Sequence, residues 1–169
     1  MGGPGPSVAL RPVTEEDRPF LVRLYASTRE LELEASGLPR EQWGAFVEHQ
    51  FAAQSRHYES YEDTSYEVVL VDGKPAGRLI VARWPEELRV VDIALLPEHR
   101  GRGIGGGLMR ALVAEADERG VKASIHVERF NPAQRLYARL GFRAVAEAGG
   151  VYLLLERPAG TADQAKSAS

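Results

Sequence analysis

The feature that most narrows the fold is the stretch Arg100-Gly101-Arg102-Gly103-Ile104-Gly105-Gly106-Gly107. It lies between an apolar run ending at Leu96 and a helical pattern carried by Ile104, Leu108, Ala111, Leu112, Glu115 and Ala116, which runs to about Arg119. The stretch therefore predicts a strand, a glycine-rich loop over Arg100–Gly107 and a helix, a unit of layered α/β architecture. Glycines let the backbone turn with its N–H groups converging on the helix start. Those N–H groups have no intrahelical partner and carry partial positive charge, so the turn suits an anion. Arg100 and Arg102 add charge, although a merely flexible connection would use the same glycines.

Two nucleotide-binding readings can be tested directly. A phosphate-binding P-loop needs Lys and then Ser or Thr after its last glycine, whereas Gly107 is followed by Leu108 and Met109. Gly101, Gly103 and Gly106 fit the glycine spacing of a dinucleotide fingerprint. That fingerprint follows the first strand of its unit and has an acidic residue about 20 positions on. Here the turn follows the fourth predicted strand, and the next strand offers only Glu128 beyond its end.

The surrounding pattern gives the element order. Val8–Val13 reads as a strand. Thr14 with Glu15, Glu16 and Asp17 reads as a helix start, and Phe20, Leu21, Leu24, Tyr25, Thr28 and Leu31 form an apolar stripe that Gly37 ends. A second helix is expected over about 39–57, with Trp43, Phe46, Val47, Gln50 and Phe51 on one side. Tyr66–Val71 and Ala76–Trp84 form a hairpin about Asp72-Gly73, and Leu88–Leu96 a further strand. After the glycine turn and its helix, Gly120 marks a stop and Val121–Val127 a strand. Asn131 is expected to cap a short helix with Pro132 at its first position. Phe142–Ala146 and Val151–Leu155 close the chain as a hairpin around Gly149-Gly150. The order β-αα-βββ-α-β-α-ββ alternates only in its second half, which predicts a mixed sheet rather than a doubly wound one.

With 169 residues the chain is sized for one domain, expected over residues 7–157 between disordered tails at 1–6 and 158–169. It has no cysteine, which excludes disulfides, cysteine-ligated metal centres and a cysteine nucleophile. A net charge of −3 argues against a general nucleic-acid binder. No apolar run approaches the roughly 18 residues that would cross a membrane, and the first residues lack the pattern of a secretory leader. A cytoplasmic location is the expectation.

Two blocks of the sequence resemble the GNAT superfamily of acetyl-CoA-dependent N-acetyltransferases. Val91–Met109, VDIALLPEHRGRGIGGGLM, is similar to the family's motif A, an Arg/Gln-x-x-Gly-x-Gly/Ala turn after a strand, met by Arg100, Gly103 and Gly105. Asn131–Phe142, NPAQRLYARLGF, looks like motif B, with Asn at a helix start, Tyr in its middle and Leu-Gly-Phe after it. The element order extends the resemblance from Val8 to Leu155. It implies an α+β fold with a mixed, mostly antiparallel central sheet, whose fourth and fifth strands splay apart. It also implies acetyl-CoA as co-substrate, with no metal. The pyrophosphate would lie on Gly101, Arg102, Gly103, Ile104, Gly105 and Gly106, with Arg100 beside them. The pantetheine arm would run along Ile93, Ala94 and Leu95 and meet Asn131.

Acyl transfer to an amine requires that the ammonium lose a proton, the thioester carbonyl be polarised and the leaving thiolate be protonated. The resemblance implies Leu95 N–H for the carbonyl and Tyr137 for the thiolate. A core tyrosine packed with Leu136, Leu140 and Phe142 would read the same way. The base stays open between His126, Asp92 and Glu128. His126 stands where one branch of the family places Glu, and imidazole accepts a proton near neutral pH. Without a cysteine, the expected route is direct attack within a ternary complex.

The acceptor is expected to be a primary amine: a small amine, an amino-acid derivative or a peptide N-terminus. Its selection would fall to the first two helices, where Trp43, Phe46, His49, Phe51, His57, Tyr58 and Tyr61 read as core or as an acceptor wall. His99 reads as a solvated loop residue. The family commonly forms homodimers, and the last hairpin, Phe142–Leu155, is the candidate contact. A non-catalytic acyl-CoA-binding module is the alternative; it would keep the glycine turn and dispense with Tyr137.

Overall fold

Local chemistry accounts for most of the boundaries found in a computed structural model, which describes residues 5–160. The strands are β1 (Val8–Pro12), β2 (Thr64–Val71), β3 (Lys74–Arg83), β4 (Glu87–Leu95), β5 (Lys122–Glu128), β6 (Arg143–Ala148) and β7 (Tyr152–Arg157). The helices are α1 (Arg18–Ser36), α2 (Trp43–Glu59), α3 (Ile104–Arg119) and α4 (Gln134–Arg139). The seven strands are hydrogen-bonded in the order β1-β2-β3-β4-β5-β7-β6. β4 and β5 pair in parallel, while the pairs β1–β2, β5–β7 and β6–β7 are antiparallel. This is the expected mixed, mostly antiparallel α+β fold. The tails proposed at 1–6 and 158–169 fall largely outside the described residues.

By packing, the described chain divides into two units: residues up to Leu79 together with Ile93–Gly101, and Ile80–Asp92 together with the residues from Arg102 onward. In the first unit, α1 starts where Thr14 N–H donates to Asp17 Oδ2 (2.8 Å), and it stops at Gly37, whose φ of 75° suits glycine. The β2–β3 turn is Asp72-Gly73, with φ of 51° and 81°, the primed turn whose twist matches the strands it joins. Leu24 of α1 and Val68 of β2 lie at the centre of this unit's core, and Tyr25 and Phe51 meet edge to face with centroids 6.0 Å apart.

Two expected core positions are corrected here. Leu31 is 83% exposed, and Leu33 is buried in its place. Leu33 shares the Val22–Ala26 side of α1 and packs with Trp43 and Val47 of α2, so helix–helix packing chose the residue. On α2 the buried pair is Val47 and Phe51, four residues apart; Phe46, one position off that stripe, is 40% exposed.

In the second unit, α3 buries Ile104, Leu108, Met109, Leu112, Val113 and Ala116. Buried Arg157 of β7 gives two hydrogen bonds to Asp117 of α3 (2.6 and 3.0 Å) and one to Leu140 O (2.7 Å). Buried Ser124 of β5 donates to Glu87 Oε2 (2.5 Å) and accepts from Arg89 (3.0 Å), tying β5 to β4. Among the described residues, no helix is long and apolar enough to cross a membrane.

Candidate active site

The glycine turn is shorter than its sequence suggests. α3 begins at Ile104, so Gly105, Gly106 and Gly107 form its first turn and the loop ends at Gly103. Gly101 and Gly103 have φ of 72° and 80°, a left-handed backbone that ordinary side chains resist. Gly107 N–H gives the first bond of the helix, to Gly103 O (3.0 Å). The N–H groups of Ile104, Gly105 and Gly106 precede that bond and point out of the helix end. A Cβ at Gly101 or Gly103 would meet nothing within 4 Å, so the turn is open on those sides. These are the conditions an anionic phosphate needs, and they fit the pyrophosphate of coenzyme A.

Arg100 is partly committed to the fold. Its Nε donates to Leu95 O (2.9 Å) and its Nη2 lies 3.4 Å from Ser27 Oγ on α1. Arg102 is exposed. His99, expected to be solvated, is half-buried, with Nδ1 sealed from solvent. The sequence reading missed Arg110, whose Nη1 would lie 3.2 Å from a Cβ at Gly106. The signal was the i,i+4 spacing from Gly106 to Arg110 on one helix face.

The same glycine connects the turn to the second motif. Leu136 Cδ1 of α4 lies 3.7 Å from a Cβ at Gly106, so the helix carrying Tyr137 packs on the first turn of α3. Tyr137 is buried, and its ring meets Phe142 edge to face at 6.2 Å, as the core reading expected. Its phenol is also raised above the usual tyrosine pKa, first by burial and then by the negative charge of Asp92 on β4. Among the base candidates, the structure thus couples Asp92 electrostatically to Tyr137. His126 and Glu128 are exposed and alternate with buried Val127, so they share one face of β5.

Asn131 departs from its expected place. Regular helix starts two residues after Pro132, at Gln134, with Ala133 in the cap position. Asn131 Oδ1 instead accepts Ala133 N–H (2.8 Å), and its carbonyl accepts Gln134 N–H (3.2 Å). It caps the turn that leads into the helix, because its side chain competes for the first free N–H after proline.

Ile93, Ala94 and Leu95 end β4. The β4–β5 ladder runs from Glu87–Lys122 to Val90–Ile125, while β4 continues to Leu95 and β5 to Glu128. β5 keeps its other partner throughout, down to the pair Glu128–Tyr152. The parallel pairing thus ends before either strand does, as expected of strands that splay.

A mixed, mostly antiparallel sheet with a glycine turn at a helix N-terminus, and a buried tyrosine on the helix packed against it, defines an α+β domain with an anion-suited turn. The sequence pattern of the Acetyltransferase (GNAT) family matches residues 28–142, and the chain belongs to that family. It is 38% identical over 88 residues to streptothricin acetyltransferase of Streptomyces lavendulae, across 50% of this chain. The aligned part is 47% of that relative, so the chain spans about half the length of the curated relative it matches. Among solved structures it is similar to PaiA N-acetyltransferase of Thermoplasma acidophilum, in complex with coenzyme A, with a TM-score of 0.66 and 16% identity. That likeness covers 90% of this chain and 99% of the other. An acetyltransferase of Thermus thermophilus matches with a TM-score of 0.64 and 24% identity, over 90% of this chain and 97% of that one. At such identities these two likenesses bear on the fold.

Proposed function

We propose that the protein transfers an acetyl group from acetyl-CoA to a primary amine by direct attack in a ternary complex. The observation that carries this reading is the packing of the Tyr137 helix on the open glycine turn through Gly106 and Leu136. Ile104, Gly105 and Gly106 N–H groups, with Gly101, Arg102 and Gly103, hold the pyrophosphate, and Arg110 adds charge beside it. Arg100 contributes chiefly by fastening the turn to Leu95. Ile93, Ala94 and Leu95 present the strand backbone to the pantetheine arm. Asn131 contributes through its amide N–H₂, since its Oδ1 is already taken by Ala133.

Leu95 N–H polarises the thioester carbonyl. The neutral amine forms the new C–N bond as the C–S bond breaks, the departing sulfur takes a proton from Tyr137, and the proton shed by the acylated nitrogen, carried by water, restores the phenol. That phenol is protonated at neutral pH, and burial raises its pKa further above the ordinary tyrosine value. The amine must first lose a proton, to His126, Asp92 or Glu128, directly or through water. The named relative makes streptothricin the first acceptor to try, ahead of small amines, amino-acid derivatives and peptide N-termini.

The test is release of free CoA from acetyl-CoA with that panel, using wild type and Tyr137→Phe, alongside calorimetric CoA binding. The expected outcome is amine-dependent release that falls by roughly 10²-fold in Tyr137→Phe, the scale of general acid catalysis, with CoA affinity retained. Tight CoA binding with no amine raising turnover above hydrolysis would instead identify a non-catalytic acyl-CoA-binding module.

A further inference from the structure

Gly77 sits in the interior of β3, where glycine costs strand stability and signals a close approach of another backbone. Its backbone does not require glycine, because its φ lies outside the left-handed range. The space does. A Cβ there would lie 2.2 Å from Ala94 O, 2.7 Å from Leu95 Cδ2 and 3.2 Å from Ala94 C. The oxygen is much nearer than its carbon, so the Ala94 C=O bond is aimed at the place a side chain would occupy. No peptide bond among the described residues is cis, so the Leu95 N–H points the opposite way from Ala94 C=O, away from Gly77.

Two further contacts fix the same orientation. Leu96 N–H donates to Ala76 O on β3 (2.8 Å), so by strand alternation the polar groups of Leu95 face the other edge of β4. Leu95 O is held at that edge by Arg100 Nε (2.9 Å). The Ala94–Leu95 peptide thus abuts Gly77, and the Leu95–Leu96 peptide that follows it is held by Arg100 Nε and by Ala76 O.

We infer that Gly77 is a positioning residue: its missing side chain seats the Ala94 carbonyl and so aims the Leu95 N–H at the thioester carbonyl. The inference rests on the acetyl-transfer reading above. A methyl at Gly77 must push Ala94 O back by most of an ångström and turn the peptide. Oxyanion donors act through alignment, and loss of one costs about 10²–10³-fold in kcat. Gly77→Ala should lower kcat by at least about tenfold and CoA affinity, through the pantetheine contacts of the same strand, by clearly less, so that the kcat effect exceeds the binding effect.

The decisive readout needs no acceptor. Isotope-edited infrared spectroscopy of carbonyl-labelled acetyl-CoA should show the thioester C=O stretch lowered on wild type, and returned toward its solution value on folded Gly77→Ala. If the stretch is equally lowered on both, the inference is overturned while the acetyl-transfer reading stands. If wild type neither binds acetyl-CoA nor lowers the stretch, the acetyl-transfer reading itself fails. Should Gly77→Ala not fold, the Leu95 amide resonance of wild type decides. It should move between the CoA and acetyl-CoA complexes, and an unmoved resonance overturns the inference.

Discussion

The carboxylate of Asp92 on β4 acts on the phenol of Tyr137 on α4: together with burial, the larger cause, it raises the phenol's pKa above the usual value near 10. The sign has a direct kinetic consequence. If protonated Tyr137 supplies the thiolate's proton, the alkaline limb set by its loss is centred above the ordinary tyrosine value. In Asp92→Asn the anion is gone, the phenolate is less disfavoured, and the alkaline limb of the kcat profile moves to lower pH. It stays above the ordinary tyrosine value, because burial remains. A pH–rate series checks this against phenolate absorbance with Tyr137→Phe subtracted. A limb that does not move on Asp92→Asn removes the electrostatic link. Loss of turnover at every pH instead assigns Asp92 the base.

Gly103 separates backbone strain from anion competition. With φ of 80° and nothing within 4 Å of a Cβ, it has room for a side chain and a backbone that resists one. Gly103→Ala should cost about 1–2 kcal/mol of stability and leave most CoA affinity. Gly103→Glu carries the same strain but sets a carboxylate at the α3 N-terminus, where the helix end favours an anion. That charge competes with the pyrophosphate, and like-charge juxtaposition costs several kcal/mol. CoA affinity by calorimetry should therefore fall more than tenfold in Gly103→Glu relative to Gly103→Ala. Equal affinities in the two would remove the pyrophosphate from this turn.

These residues also show what a sequence discloses. Gly37, Asp72-Gly73 and Gly120 were readable as stops and turns, because each answers to a backbone need met within a few residues. The glycine turn and Tyr137 were readable because their spacing brings its own structural context. Leu33 was not, since the choice between it and Leu31 depended on α2 packing on the far side of α1. The start of α4 was missed by two residues, because Asn131 and Pro132 write the same signal for a capped helix and for a capped turn that precedes one. Gly77 reads in the sequence only as a weak strand position. What demands glycine there is the carbonyl of Ala94, 17 positions further along the chain.

Stability in acid should turn on Asp117. Its carboxylate takes two hydrogen bonds from Arg157, which is 3% exposed, and one from Gly160 N–H (3.1 Å). The guanidinium holds the Asp117 pKa below the usual carboxylate value, its hydrogen bonds being the main cause. A depressed folded pKa stabilises the fold at pH values above the unfolded value of about 3.9, and that contribution fades as pH falls through the folded pKa. In Asp117→Asn the guanidinium keeps Leu140 O but loses its counter-charge in a buried place. Removing one partner of a buried pair costs about 3–5 kcal/mol. Urea unfolding at neutral pH should show a loss of that order. Repeated in acid, the gap between wild type and variant should narrow, because wild-type Asp117 is then increasingly protonated as well. A gap that stays constant across the acid range would mean that the carboxylate's charge does not anchor β7 to α3.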